Sequence, residues 1–261
     1  MDLGLFGKVA LVTGGSYGIG KAIALRLAQE GARVAICARR EEVLREAVSE
    51  IEKQTGSELL PVVADVSRAE DLEHFVRSAL ERFGRIDILV NNAGSTSANY
   101  FEDVTDEMWH QDLELKLMAA VRLSRLCIPE MRGVGGGRII NMTMVRAKQP
   151  GPRSVPTSVS RAAGLALTKA LSKDYAADNI LVNTVCLGVV RSGQWERRYE
   201  KQKERYADLE EFYRENSKDI PLKRYGEPGE VADLVAFLAS ERASYITGDA
   251  INIDGGTAAV V

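Results

Sequence analysis

The chain has 261 residues, 45% hydrophobic and 27% charged, with a formal net charge of -3. That length and balance suit one α/β domain with a full core, and the slight acidity excludes bulk nucleic-acid binding, which needs a basic footprint. No apolar run reaches membrane-spanning length, and Met1-Asp2-Leu3 leads into fold sequence in place of a signal peptide, so a cytoplasmic protein without a membrane partner is expected.

A buried strand is predicted over 8–12, then a helix over 21–31 ended by glycine. Between them runs Thr13-Gly14-Gly15-Ser16-Tyr17-Gly18-Ile19-Gly20. Gly14 allows a tight turn there, Gly18 lets backbone approach a pyrophosphate, and Gly20 permits close helix–sheet packing. The helix N-terminus offers free N–H groups and a positive dipole end to phosphates. A second strand over 33–37 leads to Ala38-Arg39-Arg40 and a charged-face helix over 41–53. NAD-selective sites place an acid at the end of this strand to bond the ribose hydroxyls. Here the acid is absent and two guanidinium groups stand in its place, which fits a 2′-phosphate. NADP(H) is therefore expected over NAD(H).

Further strands are predicted over 59–64, 86–90, 137–142, 181–186 and 250–253, with helical patterns between them. Strands alternating with helices make βαβ units and a parallel sheet covered on both faces, a single doubly wound Rossmann domain over 1–261. The stretch 194–215 differs, being rich in Arg, Lys, Glu and Tyr with few aliphatics. It is either a solvated helix laced by ion pairs or a mobile helical lid over 193–217, and its place before the final helix favours the lid. Cys37, Cys127 and Cys186 lie far apart, with only His74 and His110 besides. No metal site is expected, only three reduced, buried thiols.

The glycine spacing T-G-x-x-x-G-I-G, the run Asn91-Asn92-Ala93-Gly94, the pair Asp65-Val66, the Ile220 to Arg224 segment and the Asp254-Gly255-Gly256 ending together resemble the short-chain dehydrogenase/reductase family across nearly the whole chain. The resemblance implies a cofactor bound by Gly14, Ser16, Tyr17, Gly18, Ile19, Gly20, Arg39, Arg40, Asp65, Val66, Asn92, Ala93, Gly94, Arg161, Gly188 and Val190. It also implies a homotetramer and a small-molecule substrate.

In that family a Ser and a Tyr bond the substrate oxygen, a Lys four residues after the Tyr lowers its pKa, and an Asn supports a water relay. Laying 137–144 on the strand that carries the Ser puts Met144 at that position. Thirteen residues on stands Thr157, followed by Arg161, and Lys116 takes the Asn position. Thr143 is one residue away, and no tyrosine occurs between Tyr100 and Tyr175, so a small shift of register restores nothing. Met144 offers no proton, Thr157 is a weaker acid and shorter than tyrosine, and Arg161 stays charged. Lys116 is the one new group able to act as an acid if its pKa falls.

Arg146, Lys148, Arg153, Arg161 and Arg191 gather along the same loops. If they converge they form a cationic cleft for an anionic substrate, which would stabilise an enolate or alkoxide without Tyr. The expected function is an NADP(H)-dependent oxidoreductase with a rebuilt site. A catalytically silent NADP(H)-binding sensor or partner comes second, and a non-redox lyase third.

Overall fold

In the computed structural model, which describes residues 1–261, the first apolar run becomes β1 (Val9–Thr13), buried along its whole length. A strand buried on both faces needs helices on both. The chain supplies them in turn as α1 (Gly18–Gln29), β2 (Arg33–Ala38), α2 (Glu41–Thr55), β3 (Leu59–Val63), α3 (Ala69–Phe83) and β4 (Ile88–Asn91). A short β5 (Ala98–Asn99) precedes α4 (Asp106–Leu113), a π-helical turn Glu114–Met118 and α5 (Ala119–Gly133), which follow one another without a break. Then come β6 (Gly137–Met144), a two-residue β7 (Val155–Pro156), α6 (Thr157–Asp174) and β8 (Ile180–Leu187). The chain closes with α7 (Gly193–Glu200), α8 (Leu209–Asn216), α9 (Pro228–Ala239) and β9 (Ala250–Ile253).

Seven strands form one parallel sheet in the order β3-β2-β1-β4-β6-β8-β9. Strand alternation splits the core in two: Ala10 and Val12 of β1 pack with α1 and α9, while Val9 and Leu11 pack with α3 and α5. Fully buried Ile23, Leu27, Leu72 and Phe75 anchor the two layers, each contributing roughly 1.5–3 kcal/mol. From β1 the chain winds outward to β3, then returns to β4 on the other side. The carboxyl ends of β1 and β4 therefore border a topological switch point, where open α/β sheets place their ligands.

This is the doubly wound Rossmann architecture that the alternating pattern predicts. Several strands run one or two residues past the apolar runs that signal them, because Thr13, Asn91, Thr143 and Met144 continue the ladders although they are not all aliphatic. The antiparallel pair β5–β7 is too short to leave a periodic signal. No helix is long and apolar enough to cross a membrane.

Candidate active site

Thr13 ends β1 and ties the glycine-rich loop to its neighbour. Its hydroxyl accepts from the Asn92 and Ala93 amides at 2.9 Å each, and the Asn92 side-chain amide donates to the Thr13 carbonyl at 2.8 Å. Gly14 turns at φ 66, in the left-handed region that favours glycine. A Cβ on Gly20 would stand 2.2 Å from the Gly14 carbonyl oxygen, so only glycine permits this approach of helix to loop.

Above the loop lies a cleft in two parts that share Gly14, Ala93 and Gly94. One part, about 520 Å³, is lined by Ser16, Arg39, Arg40, Asp65 and Val66. The other, about 320 Å³, takes in Tyr17, Gly18, Ile19, Gly20, Asn92, Gly188 and Val190, with Met142, Met144 and Arg161 on its inner wall. Every residue that the family resemblance implies for a cofactor thus lines one continuous groove. Arg39 is largely exposed and sits 3.9 Å from the Asp65 carboxylate. Burial pushes the Asp65 carboxyl up, but the Ser67 hydroxyl and amide that donate to it bring it below its ordinary value, so it stays ionised. Cys37 lines the wider part of the groove, where burial pushes its thiol up to about 12. It is no nucleophile at neutral pH. All three cysteines are buried and free.

The five chemical candidates divide sharply. Met144 and Arg161 face the groove. Thr143 and Lys116 line only a smaller cavity behind it, and Thr157, 1% exposed, lines neither. Lys116 lies in the π-helical turn, a widened geometry frequent at functional sites. Its ammonium is ion-paired with Asp112 one turn back and donates to the Thr157 hydroxyl at 2.6 Å. The Ser160 hydroxyl donates to the other Asp112 oxygen at 2.6 Å. Asp112 and Lys116 expose only 2% and 5% of their side chains, so this is a sealed ion pair that also clamps α6 to the π turn. Burial lowers the Lys116 pKa; Asp112 pulls it back up, Arg161 pushes it further down, and the net shift is downward.

Arg161 stands one turn into α6 from Thr157, and its side chain makes no hydrogen bond within the chain; its Nε is buried without a partner. Burial lowers its pKa and the nearby Asp112 carboxylate raises it, with burial the larger effect. One terminal nitrogen reaches toward Gly94 at the groove wall. A buried guanidinium without a bonded carboxylate, open on one side to a groove, is equipped to hold an oxygen anion or a ribose.

The expected cationic cleft does not form as drawn. Arg191 is locked to Glu210 at 2.6 and 2.7 Å and to Glu227 at 3.0 Å, and stacks on Tyr213. Lys148 is held by the Ala250 carbonyl and Asn252, Arg153 stacks on Tyr100, and Arg146 is exposed. Arg191 and Lys148 found nearer acceptors than the groove, Arg153 a ring, and Arg146 the solvent. The cation that joins Arg161 there is Arg197 of α7.

The start of the 193–217 stretch borders the groove. Gln194 and Arg197 line it, and the Tyr17 phenol of the glycine-rich loop donates to Glu196 at 2.6 Å. That hydrogen bond, with burial, raises the phenol to about 12. Gln194 also meets Thr96 at about 3.4 Å. The stretch also joins a small core, Phe212, Tyr213, Ile220 and Tyr225, with Trp195, Tyr199 and Tyr206 packed against it. Sequence reasoning missed Asp112, Ser160, Glu196 and Arg197. Arg197 stands three residues after Gln194, and that helical spacing was the only available hint.

A doubly wound sheet with a glycine loop, a helix N-terminus and a groove at the switch point defines a Rossmann-type α/β protein. The chain belongs to the short-chain dehydrogenase/reductase family: the family model described as Enoyl-(Acyl carrier protein) reductase matches residues 14–258. Dehydrogenase/reductase SDR family member 4 of Homo sapiens is 37% identical over 254 residues, covering 97% of this chain and 88% of that one. The L-sorbose reductase of Gluconobacter frateurii, solved with NADPH and L-sorbose, superposes with a TM-score of 0.96 at 38% identity, covering all of both chains. A short-chain oxidoreductase of Pseudomonas aeruginosa PAO1, described as containing an atypical catalytic center, superposes at 0.94 with 36% identity, again over all of both chains.

Proposed function

We propose that this protein is an NADP(H)-dependent oxidoreductase acting on a carbonyl/alcohol pair that bears an anionic group, through a site rebuilt around Arg161. The observation that carries the reading is the buried, unbonded guanidinium of Arg161 opening onto the groove between Met144 and Gly94. The close approach at Gly20 and the free N-terminus of α1 fit a pyrophosphate. Arg39 and Arg40 would take the 2′-phosphate, Asp65 the adenine edge, and Arg161 the nicotinamide ribose. Such a cofactor, when bound, supplies or takes up hydride. The NADPH carried by the sorbose reductase and by a second Pseudomonas structure supports the choice of cofactor.

In this reading Met144, Thr157, Arg161 and Lys116 occupy the four positions where the family carries Ser, Tyr, Lys and Asn. Arg161 lowers the energy of the negative charge that grows on the substrate oxygen, in a setting poor in water where such a charge is otherwise costly. Met144 and Met142 wall the reacting carbon with apolar surface. Thr157 and Lys116 do not reach the groove, so the proton that completes the alcohol comes from water admitted at the lid. Lys116 and Asp112 act by holding α6, and with it Arg161, in place. Arg161 and Arg197 are the only charged residues along the inner part of the groove, which favours an anionic substrate.

The sealing of Thr157 and Lys116 equally favours a second reading, a silent NADP(H)-binding protein. Parallel fluorescence titrations with NADPH and NADH, followed by a turnover screen of carbonyl acids, separate the two. NADPH binding with turnover that Arg161→Met abolishes supports the enzyme. Binding with no turnover of any carbonyl acid supports the silent protein. Binding of neither nucleotide overturns both.

A further inference from the structure

Arg197 of α7 is the one cation of the 193–217 stretch that lines the groove. The two acids of its own helix are engaged elsewhere: Glu196 accepts from the Tyr17 phenol at 2.6 Å, and Glu200 from Lys203 at 3.4 Å. No acid lines this part of the groove. Arg197 is therefore left without a carboxylate partner, although charged side chains surround it in the sequence.

Gly193, the first residue of α7, shows where the guanidinium lies. A Cβ there would stand 2.6 Å from the Tyr17 ring and 3.3 Å from Arg197 Nη1, so ring and guanidinium meet over a residue that offers no side chain. Tyr17 is in turn the N-cap residue of α1. It gives that helix no side-chain hydrogen bond, and no acid stands in the helix's first turn. The positive end of α1 and the Arg197 guanidinium thus border one space with Gly18 and Gly20, and no negative group lies between them. The unbonded guanidinium of Arg161 opens onto the same part of the groove. Positive groups gathered along one wall repel one another unless an anion joins them.

We infer that Arg197 is a cofactor-binding residue, bonding the diphosphate from α7 while the glycine-rich loop and α1 bond it from the sheet. Arg197 has this role only if the groove takes a nucleotide, as proposed above. Its place selects the diphosphate among the cofactor's anionic groups. Arg39 and Arg40, set for the 2′-phosphate, line the wider part of the groove and not this one. Arg197 instead neighbours Tyr17 of the glycine-rich loop, where the α1 N-terminus suits a phosphate. A guanidinium fork matches two phosphate oxygens at once. The preference for an anionic substrate then rests on Arg161. Arg197 ties the first turn of α7 to the nucleotide, and the Tyr17–Glu196 hydrogen bond ties the same turn to the loop.

The test is titration of the full chain, wild type and Arg197→Met, with NADPH, NADH and adenosine 2′-monophosphate. Arg197 is exposed, so its replacement leaves the core intact. NADPH and NADH should both bind about 10-fold more weakly to the variant, the worth of one charge-assisted hydrogen bond. Adenosine 2′-monophosphate, which has no diphosphate, should bind as before. NADPH should also slow amide exchange over Gly193–Glu200 in the wild type and much less in the variant. Equal NADPH affinity in the two proteins, or exchange slowed equally in both, overturns the inference. A loss for NADPH alone puts Arg197 on the 2′-phosphate, and an equal loss for adenosine 2′-monophosphate makes the effect a general one; either overturns it too. Failure of the wild type to bind NADPH or NADH is a separate result, which removes the cofactor reading itself and the role of Arg197 with it.

Discussion

Removing the Asp112 carboxylate tests whether the Lys116 pair is sealed. In Asp112→Ala the ammonium is left in a site where its side chain is 5% exposed, with only the Thr157 hydroxyl to bond. Breaking a buried pair on one side costs about 3–5 kcal/mol. Lysine has an escape, since it can shed its proton. From its ordinary value of 10.5, neutralising it at pH 7 costs 3.5 units at about 1.4 kcal/mol each, roughly 5 kcal/mol. At pH 9 the same cost is roughly 2 kcal/mol. The charge penalty can be no larger than this escape allows, so it shrinks as pH rises. The sign agrees with proton linkage: the folded-state pKa of Lys116 lies below the unfolded value, the unfolded chain binds more protons between the two, and stability rises with pH in that window. Urea denaturation of wild type and variant at pH 7 and pH 9 measures the difference. We expect a loss of about 3–5 kcal/mol at pH 7, or a fall in Tm of about 6–20 °C, reduced to about 2 kcal/mol or less at pH 9. Asp112→Leu combined with Lys116→Met recovers most of the loss, because neither charge remains. A penalty under about 1 kcal/mol at pH 7, or one equal at both pH values, refutes the sealed pair.

Arg39→Ala should weaken NADPH binding about 10- to 100-fold, the worth of a charge-assisted hydrogen bond of about 1.5–3 kcal/mol, and leave NADH nearly unchanged; equal loss for both nucleotides by fluorescence titration removes Arg39 from the phosphate. Tyr17→Phe deletes the bond to Glu196 at an exposed site and should alter global stability by no more than about 0.5 kcal/mol. It should nevertheless speed amide exchange across 193–217, and unchanged exchange there would show that the contact latches nothing. Gly20→Ala places a methyl against the Gly14 carbonyl and should destabilise the chain by about 2–4 kcal/mol in urea; wild-type stability would mean that the helix can draw back from the loop.

The sheet and the glycine-rich loop were legible because both rest on local signals, apolar runs at strand length and glycines at fixed offsets. The position of Arg161 on the groove was legible too, since it follows from counting along α6 once β6 is placed. The Asp112–Lys116 pair was not. An acid four residues before a lysine on a helix reads as a solvated surface pair, and only the packing of α6 over the π turn buries it. The loop cations misled for the opposite reason. Sequence shows charge but not the nearest acceptor, and Glu210, Glu227 and the Ala250 carbonyl were closer to Arg191 and Lys148 than the groove was.

The aromatic cluster beneath α7 and α8 has an architectural consequence. Phe212, Tyr213 and Tyr225 pack with Trp195 and Tyr199, so the aromatic side chains of α7 and α8 share an interior apart from the two cores of the sheet. The segment is therefore a cap with its own interior, attached at two stems that meet where Val190 bridges Gly226. Such a cap draws little on the two cores of the sheet for its aromatic contacts. Its groove-facing residues Gln194 and Arg197 can also change by mutation without a redesign of the sheet beneath. The sheet and its glycine-rich loop thus place few demands on the residues that form the outer wall of the groove.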